Sequence, residues 1–203
     1  MSKINLTISL IVIMVIQSCN AQTKSSQTAV INVVTTKTIS IVKTDTVIAV
    51  PVIIETVNPI ADVYSSYIGL KNWLTKDNGD SAAAYSKKLF ASINDLKTGS
   101  LSTTQNSIWI KYKDKLSYAA EHIKETKDLE HQREHFVSLS KNMYEVVKAF
   151  NTNSDAIYYQ YCPMANEGKG AYWISENSKI INPYFGGKML SCGSTKGTIS
   201  PVK

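Results

Sequence analysis

The sequence predicts a mainly α protein: an up-down-up-down four-helix bundle followed by an irregular C-terminal tail of short strands and turns. Between residues 59 and 152, apolar residues recur three and four positions apart in four successive segments, which is the period of amphipathic helices. Short polar connections separate these segments, so consecutive helices should pack as antiparallel neighbours. From residue 153 the helical period is lost, and Tyr, Gly, Asn and Pro become frequent. We therefore divide the chain into residues 1–18, 19–58, 59–152 and 153–203.

The first segment has the pattern of a lipoprotein signal peptide. Lys3 precedes an apolar run over residues 4–16, and the small residue Ser18 stands directly before Cys19. Cleavage at this point would leave Cys19 as a lipidated first residue. The alternative is an uncleaved anchor, but the run is shorter than the roughly 20 apolar residues that span a bilayer. We expect a lipid-anchored protein of the cell envelope, and Asn20 in place of Asp favours the outer membrane, facing the periplasm.

Residues 19–58 are expected to form an extended tether. Residues 20–58 are rich in Thr, Ser, Val and Ile, and they contain neither an aromatic residue nor a Gly. Near-alternation over residues 38–42 and 47–50 is typical of β-strands. No turn residues join these runs into a hairpin, and Pro51 interrupts them, so we expect one or two edge strands at most.

Four helices follow, each marked by an apolar stripe. The stripes are Val63, Tyr67, Leu70 and Leu74; Ala82, Tyr85, Leu89, Ile93 and Leu96; Ile108, Tyr112, Leu116, Ala119 and Ile123; and Leu129, Gln132, Phe136, Leu139, Met143, Val146 and Phe150. Asp80 or Ser81 is expected to cap the second helix, and residues 126–128 offer a cap for the fourth. The fourth stripe is the most regular, with one polar member, Gln132. No helix could bury its stripe alone, so the four must pack together.

The tail carries two cysteines that each have a methionine nearby, Cys162 with Met164 and Cys192 with Met189. Soft sulfur ligands favour Cu(I) and related ions, so these four side chains are candidate ligands of a soft metal. The alternative is a disulfide between Cys162 and Cys192, which an oxidising compartment favours. Closing this loop would stabilise the protein by about 3 to 4 kcal/mol. The spacing leaves both interpretations open.

Three histidines are further candidates for metal binding. His131 and His135 stand four positions apart on the predicted fourth helix, so they share one face. This spacing can bind a divalent ion through both imidazoles. The alternative is an ordinary solvated flank of the bundle. His122, near the end of the third predicted helix, could lie across from the other two.

Other classes of function find little support. The chain shows no Ser-His-Asp order, phosphate-binding Gly loop or Cys-x-x-Cys motif, so we do not predict an enzyme. The net charge is +6, yet Arg133 is the only Arg; in an exported protein this suits an anionic lipid surface and argues against nucleic acid as a partner. The aromatic residues of the tail could bind sugar or peptide, or form the core that ties the tail to the bundle. They are Tyr158, Tyr159, Tyr161, Tyr172, Trp173, Tyr184 and Phe185.

Four stretches of the chain resemble a known family. They are EHQREHF at residues 130–136, LS at 139–140, YYQYCPMANEGKGAYWISE at 158–176 and INPYFGGKMLSCG at 181–193. Together they are similar to an exported domain-of-unknown-function family of Gram-negative bacteria. That family occurs as stand-alone lipoproteins and as the C-terminal module of CusB-type copper/silver efflux adaptors. The resemblance covers about residues 60–195.

The resemblance implies a heavy-metal role. In the tail stretches, the residues that match the family are Cys162, Met164, Met189 and Cys192. In the helical signature at residues 130–136, they are Arg133, His135 and Phe136. The adaptor's hairpin and barrel regions are missing here, so a carrier, sensor or accessory role is expected, with a heavy-metal efflux adaptor as the partner.

We therefore expect an envelope lipoprotein that binds a soft metal, foremost Cu(I), for sequestration or hand-over to efflux. The expected ligands are Cys162, Met164, Met189, Cys192, His131 and His135. The alternative is a disulfide-stapled interaction module that docks another envelope protein and binds no metal.

Overall fold

The structure, a computed structural model, describes residues 58–151 and 154–202. Cys19 and the expected tether lie outside the described residues, so the predictions for them stay predictions. Among the described residues, the helices are all too short or too polar to cross a membrane.

Four α-helices form the larger part of the described fold. They are α1 (Ala61–Leu74), α2 (Gly79–Asp95), α3 (Thr103–Lys124) and α4 (Leu129–Phe150), with a 3₁₀ turn at Thr98–Ser100 between α2 and α3. Each helix packs against the next one in the chain, as short connections require. The prediction of a mainly α four-helix bundle is confirmed.

Polar side chains fix where the helices begin. Asp128 caps α4, because its carboxylate accepts a hydrogen bond from the backbone N–H of His131. At α2, the expected cap at Asp80 or Ser81 is wrong. Asn78 supplies it instead, because its side-chain oxygen reaches the N–H of Ser81 and begins the helix earlier.

The predicted stripes supply most of the buried core. One departure occurs at the start of α3, where Trp109 is buried and the neighbouring Ile108 is only partly so. The Trp109 ring packs edge-on against Phe150, with ring centroids 6.4 Å apart. A large ring at this end of the bundle fills the space that we had assigned to a smaller side chain.

Gln132, the polar member of the fourth stripe, is fully buried, and its hydrogen bonds explain its presence. Its Nε2 donates to the backbone oxygens of Gly79 at 2.9 Å and Thr126 at 2.7 Å, and the oxygen of Ile123 lies 3.4 Å away. These carbonyls belong to the start of α2 and to the end of α3 with its connection to α4. A buried amide thus ties three segments together at one end of the bundle.

The tail folds into a three-stranded antiparallel sheet. Its strands are β1 (Ile157–Cys162), β2 (Ala171–Ser175) and β3 (Ser194–Ile199), in the order β2-β1-β3. A second 3₁₀ turn covers Gly186–Lys188. β2 packs against α4, so the sheet lies along the bundle. The predicted short strands and turns are therefore present, and they are more regular than the sequence indicated.

Buried aromatic residues join the sheet to the helices. Phe136 of α4 lies between Tyr67 and Tyr184, with ring centroids 5.4 Å and 5.7 Å away. The Tyr67 hydroxyl shares a 2.8 Å hydrogen bond with the Ser140 hydroxyl and accepts one from the backbone N–H of Ile174. One hydroxyl on α1 thereby connects α4 with β2.

Candidate metal centre

Three imidazoles converge where α3 and α4 pack together. The nitrogen atoms that His122, His131 and His135 could offer as ligands all lie within 4.8 Å of one another. His131 is exposed, and the other two are partly buried. We call these residues the histidine trio. The sequence predicted two of its members as ligands, and the structure brings in His122 as the third.

The helical hairpin explains why the trio assembles. His131 and His135 are one turn apart on α4, so they stand one above the other on the same face. The connection at residues 125–128 turns the chain back within four residues, so the last turn of α3 faces the first turns of α4. His122 lies in that last turn. The short connection between α3 and α4 is the feature of the sequence from which His122 could have been predicted as a third candidate ligand.

The three rings are not all oriented toward one common point. His122 and His135 are stacked, with centroids 4.5 Å apart and planes within 6° of parallel. The centroid of the His131 ring lies 4.6 Å from that of His135 and 6.4 Å from that of His122. An imidazole lone pair lies in the plane of its ring, so two stacked rings cannot both point at one ion. Metal binding therefore requires at least one of these partly exposed rings to rotate.

The surroundings of His135 favour the neutral imidazole that a metal would need. Desolvation lowers the pKa of His135 below its ordinary value, and the neighbouring His122 and His131 lower it further. Glu134 acts in the opposite direction but is the weakest of these influences. A proton on His135 would compete with a metal ion for the same lone pair, so a lowered pKa keeps the ligand available.

The sulfur atoms of the tail lie in a different part of the molecule. Cys162 is buried at the end of β1, and Cys192 is partly buried just before β3. Their sulfur atoms lie 2.7 Å apart. Two thiolates that share a tetrahedral ion at about 2.3 Å each would stand roughly 3.8 Å apart. The pair is therefore packed too closely to hold one ion between the sulfurs without moving apart.

The thiol chemistry points the same way. The hydrogen bond with Cys162 and partial burial raise the pKa of the Cys192 thiol above its ordinary value. Metal ligation needs the thiolate, so an ion that bound here would have to displace this proton.

The two methionines are placed differently from each other. Met164 is 54% exposed and lines a cavity of about 480 Å³ between α4 and the tail, together with Arg133 and Tyr184. Met189 is partly buried in the turn before Cys192, whose N–H donates to the Met189 carbonyl. The close contact between sulfur atoms that the structure describes is the one between the two thiols.

The six predicted ligands therefore fall into separate sets on different sides of α4. Residues two apart on a helix point about 200° apart. The trio members of α4 face α3, so Arg133, between them in sequence, faces the other way and reaches the tail. Its guanidinium donates to the carbonyls of Pro183 and Leu74, both at 2.9 Å. The structure brings the histidines together in one cluster and the cysteines together in another.

Arg133 itself is an anchor between the tail and the bundle. Besides the two carbonyls, its guanidinium pairs with Asp77, which also accepts a hydrogen bond from the N–H of Gly187. Those two bonds hold the pKa of Asp77 below its ordinary value. Asp77 adopts a left-handed backbone, with φ of 54°, that these partners hold in place. The Arg of the helical signature thus has a structural role.

Comparison with known proteins bears on the helical part of the chain. Residues 63–155 match the model of a family described as "Protein of unknown function (DUF3347)". No curated protein and no solved structure matches the chain. The matched range begins within α1 and ends after α4, so it includes all three histidines. The bundle that carries the histidine trio is accordingly similar to a domain-of-unknown-function family.

Proposed function

We propose that this protein binds a transition-metal ion, foremost copper, through the histidine trio and holds it or hands it over in the cell envelope. The observation that carries the proposal is the convergence of three imidazoles within 4.8 Å of one another across α3 and α4. Two histidines on one helix are common on solvated surfaces. A third from the neighbouring helix, close enough to reach the same ion once the rings rotate, would supply the three ligands of an open metal site.

The ligand chemistry supports copper among the divalent ions. Imidazole suits copper, zinc and nickel, and copper(II) binds most tightly of the first-row divalent ions to a given nitrogen site. The trio also leaves part of the coordination sphere open to solvent, because His131 is exposed. An incomplete, exposed site exchanges its ion more readily than a buried, closed one, which suits a carrier.

The proposed location and the proposed partner both rest on features of the sequence. The lipobox at Cys19 supports an envelope lipoprotein. The resemblance to modules of copper/silver efflux adaptors supports such an adaptor as the recipient of the ion. In this proposal the protein sequesters copper at the membrane and is not a catalyst.

A second candidate function rests on the sulfur atoms. The 2.7 Å separation of Cys162 and Cys192 favours a disulfide over the predicted soft-metal site. Such a bond would staple the tail, whose aromatic surface would dock another envelope protein. A staple and the histidine site are compatible in one molecule, since they use different residues. The interaction module replaces the metal carrier only if the trio binds no ion.

Metal analysis of natively purified protein tests the proposal. We expect protein isolated from the envelope of copper-fed cells to carry about one metal ion per chain. A variant with all three histidines changed to Gln, which keeps a similar size, should carry none. A Cys162→Ser/Cys192→Ser variant is the matched control and should keep the ion. Equal metal in the histidine variant, or a metal-free wild type, would overturn the proposal and leave the interaction module.

A further inference from the structure

We propose that the phenol of Tyr118 is a fourth ligand of the histidine site, so the site takes an oxidised ion such as Cu²⁺ in preference to Cu⁺. This inference rests on the proposed function and narrows it. It differs from the soft, sulfur-bound copper that the sequence led us to expect. The tail thiols and thioethers have no part in it.

The first support is the geometry of the two helices. Tyr118 and His122 stand four positions apart on α3, as His131 and His135 do on α4. The two pairs face each other across the groove between the helices. The Tyr118 ring lies 4.3 Å from the His122 ring and 6.1 Å from the His135 ring, measured between centroids. Each helix therefore brings two candidate ligand side chains to this groove, and the fourth of them, Tyr118, would donate through its phenol oxygen.

The second support is the exposure of Tyr118. It is 59% exposed, whereas Leu116 and Ala119 on the same helix are fully buried. A tyrosine with a packing role would bury its ring against the core, but this ring leans on the imidazoles. Because little packing holds it, rotation of the side chain toward an ion would cost little. The histidine rings must also rotate, so the site would close around the ion from both helices.

The chemistry of the donor set selects the ion. On binding, the phenol O–H bond breaks, a metal–oxygen bond forms, and the proton leaves to solvent. An imidazole binds a metal ion as a neutral ligand, so the phenolate would be the donor in this set that offsets the ion's charge. An anionic oxygen is a hard ligand and prefers Cu²⁺, Zn²⁺ or Fe³⁺ to the soft Cu⁺. Tyrosinate is an established iron ligand in proteins.

The test is a Cu²⁺ titration of the full-length chain and its Tyr118→Phe variant. Tyr112→Phe is the matched control, because Tyr112 lies on the same helix about 15 Å from His122 along the axis. Its ring sits beneath Lys111 and Lys115 instead. Wild type and control should show a phenolate-to-copper charge-transfer band in the visible spectrum, and Tyr118→Phe should lack it.

Two further readouts separate a ligand from a stacking partner. Tyr118→Phe keeps the ring, so a stacking role would survive the change. Loss of a ligand should weaken Cu²⁺ binding by about tenfold or more, since even supporting residues around metal ligands commonly have effects of this size. The wild type should also release about one more proton per ion bound than the variant. The thermal midpoint of the metal-free protein should stay unchanged, because Tyr118 is exposed.

The possible results are distinguishable. Equal affinity, spectrum and proton release in wild type and Tyr118→Phe would overturn the role of Tyr118 and leave the histidine trio standing. No Cu²⁺ binding by the wild type would overturn both proposals. A band that disappears in Tyr112→Phe as well would show that it does not report on Tyr118, and the assignment would be wrong.

Discussion

The fold lowers the pKa of His135, the middle histidine of the trio. It sits between two other imidazoles, against the partly buried groove of α3 and α4, and Glu134 is the nearby opposing charge. Desolvation and the neighbouring rings both disfavour its charged form. The same features that would keep it available to a metal ion make it a group that destabilises the metal-free protein in acid.

The first prediction follows from this lowered pKa. Its ordinary value is 6.5, and the folded value lies below it. The unfolded chain therefore binds the proton more readily, and the free energy of unfolding falls as pH drops through 6.5 toward the folded pKa. We expect His135→Gln to reduce this loss. Urea unfolding of the metal-free wild type and the variant at pH 7.5 and 5.5 measures this loss of unfolding free energy. An identical loss in the two proteins would contradict the prediction.

The second prediction concerns Arg133, which points away from the trio. Arg133→Lys keeps the charge but cannot reach the carbonyls of both Leu74 and Pro183 together with Asp77. We expect the free energy of unfolding to fall by about 2 kcal/mol, the scale of one hydrogen bond from a charged group. Metal affinity should not change. A loss of affinity as large as that of His135→Gln would mean that the two sides of α4 are not separate.

At the level of elements, the sequence predicts the helices well because the helical period is a local property. Every stripe contributes several buried residues, and Gln132 was correctly included although it is polar. The start of α3 shows the limit of this prediction, because Trp109 is buried there in place of the expected Ile108. Both positions are apolar and adjacent, so the period alone cannot decide which one turns inward. That depends on the space left by Phe150 on another helix.

The strands of the tail were harder to place, for two physical reasons. β1 pairs with β3, which begins more than thirty residues later. Pairing between strands so far apart in the chain produces no pattern in the sequence near either strand. The sheet also buries residues from both faces, since neighbours such as Trp173 and Ile174 are both fully buried. Burial on both faces removes the alternation by which a strand is identified. A bulge between Tyr159 and Gln160 disturbs the register further.

The third prediction tests the packing of α4. Phe136 is fully buried between Tyr67 and Tyr184. We expect Phe136→Ala to lower the free energy of unfolding by about 3 to 5 kcal/mol. Ile110→Ala on α3 is the control, because Ile110 is 67% exposed and should cost no more than about 0.5 kcal/mol. A thermal midpoint that moves by only a degree or two in Phe136→Ala would show that this residue does not join tail and bundle.

For the molecule as a whole, the sequence supplied the candidate ligands but not their grouping. The spacing of His131 and His135 is visible on one helix. The place of His122 depends on how α3 and α4 face each other. The sulfur atoms looked like one set because each Cys has a Met nearby in sequence. In the folded tail the two thiols meet, while Met164 lines a separate cavity beside α4.

The fourth prediction concerns this separation of the thiols from the histidines. In oxidised protein we expect Cys162 and Cys192 to resist thiol labelling until a reductant is added. Changing both to Ser should lower the free energy of unfolding by about 3 to 4 kcal/mol, the loop-closure value for a loop of this length. Cu²⁺ affinity should be unaffected. Free thiols in the protein as isolated, with copper bound in proportion to them, would contradict this prediction and favour the sulfur site instead.

A Cu²⁺ competition titration against a coloured chelator tests the central claim most directly. It compares the wild type with a variant in which His122, His131 and His135 are all changed to Gln. The account predicts that the wild type withdraws about one ion per chain from the chelator and that the variant withdraws none, while both keep the same helical content. Equal stoichiometry and affinity in the two proteins would contradict the assignment of the histidine trio as a metal site.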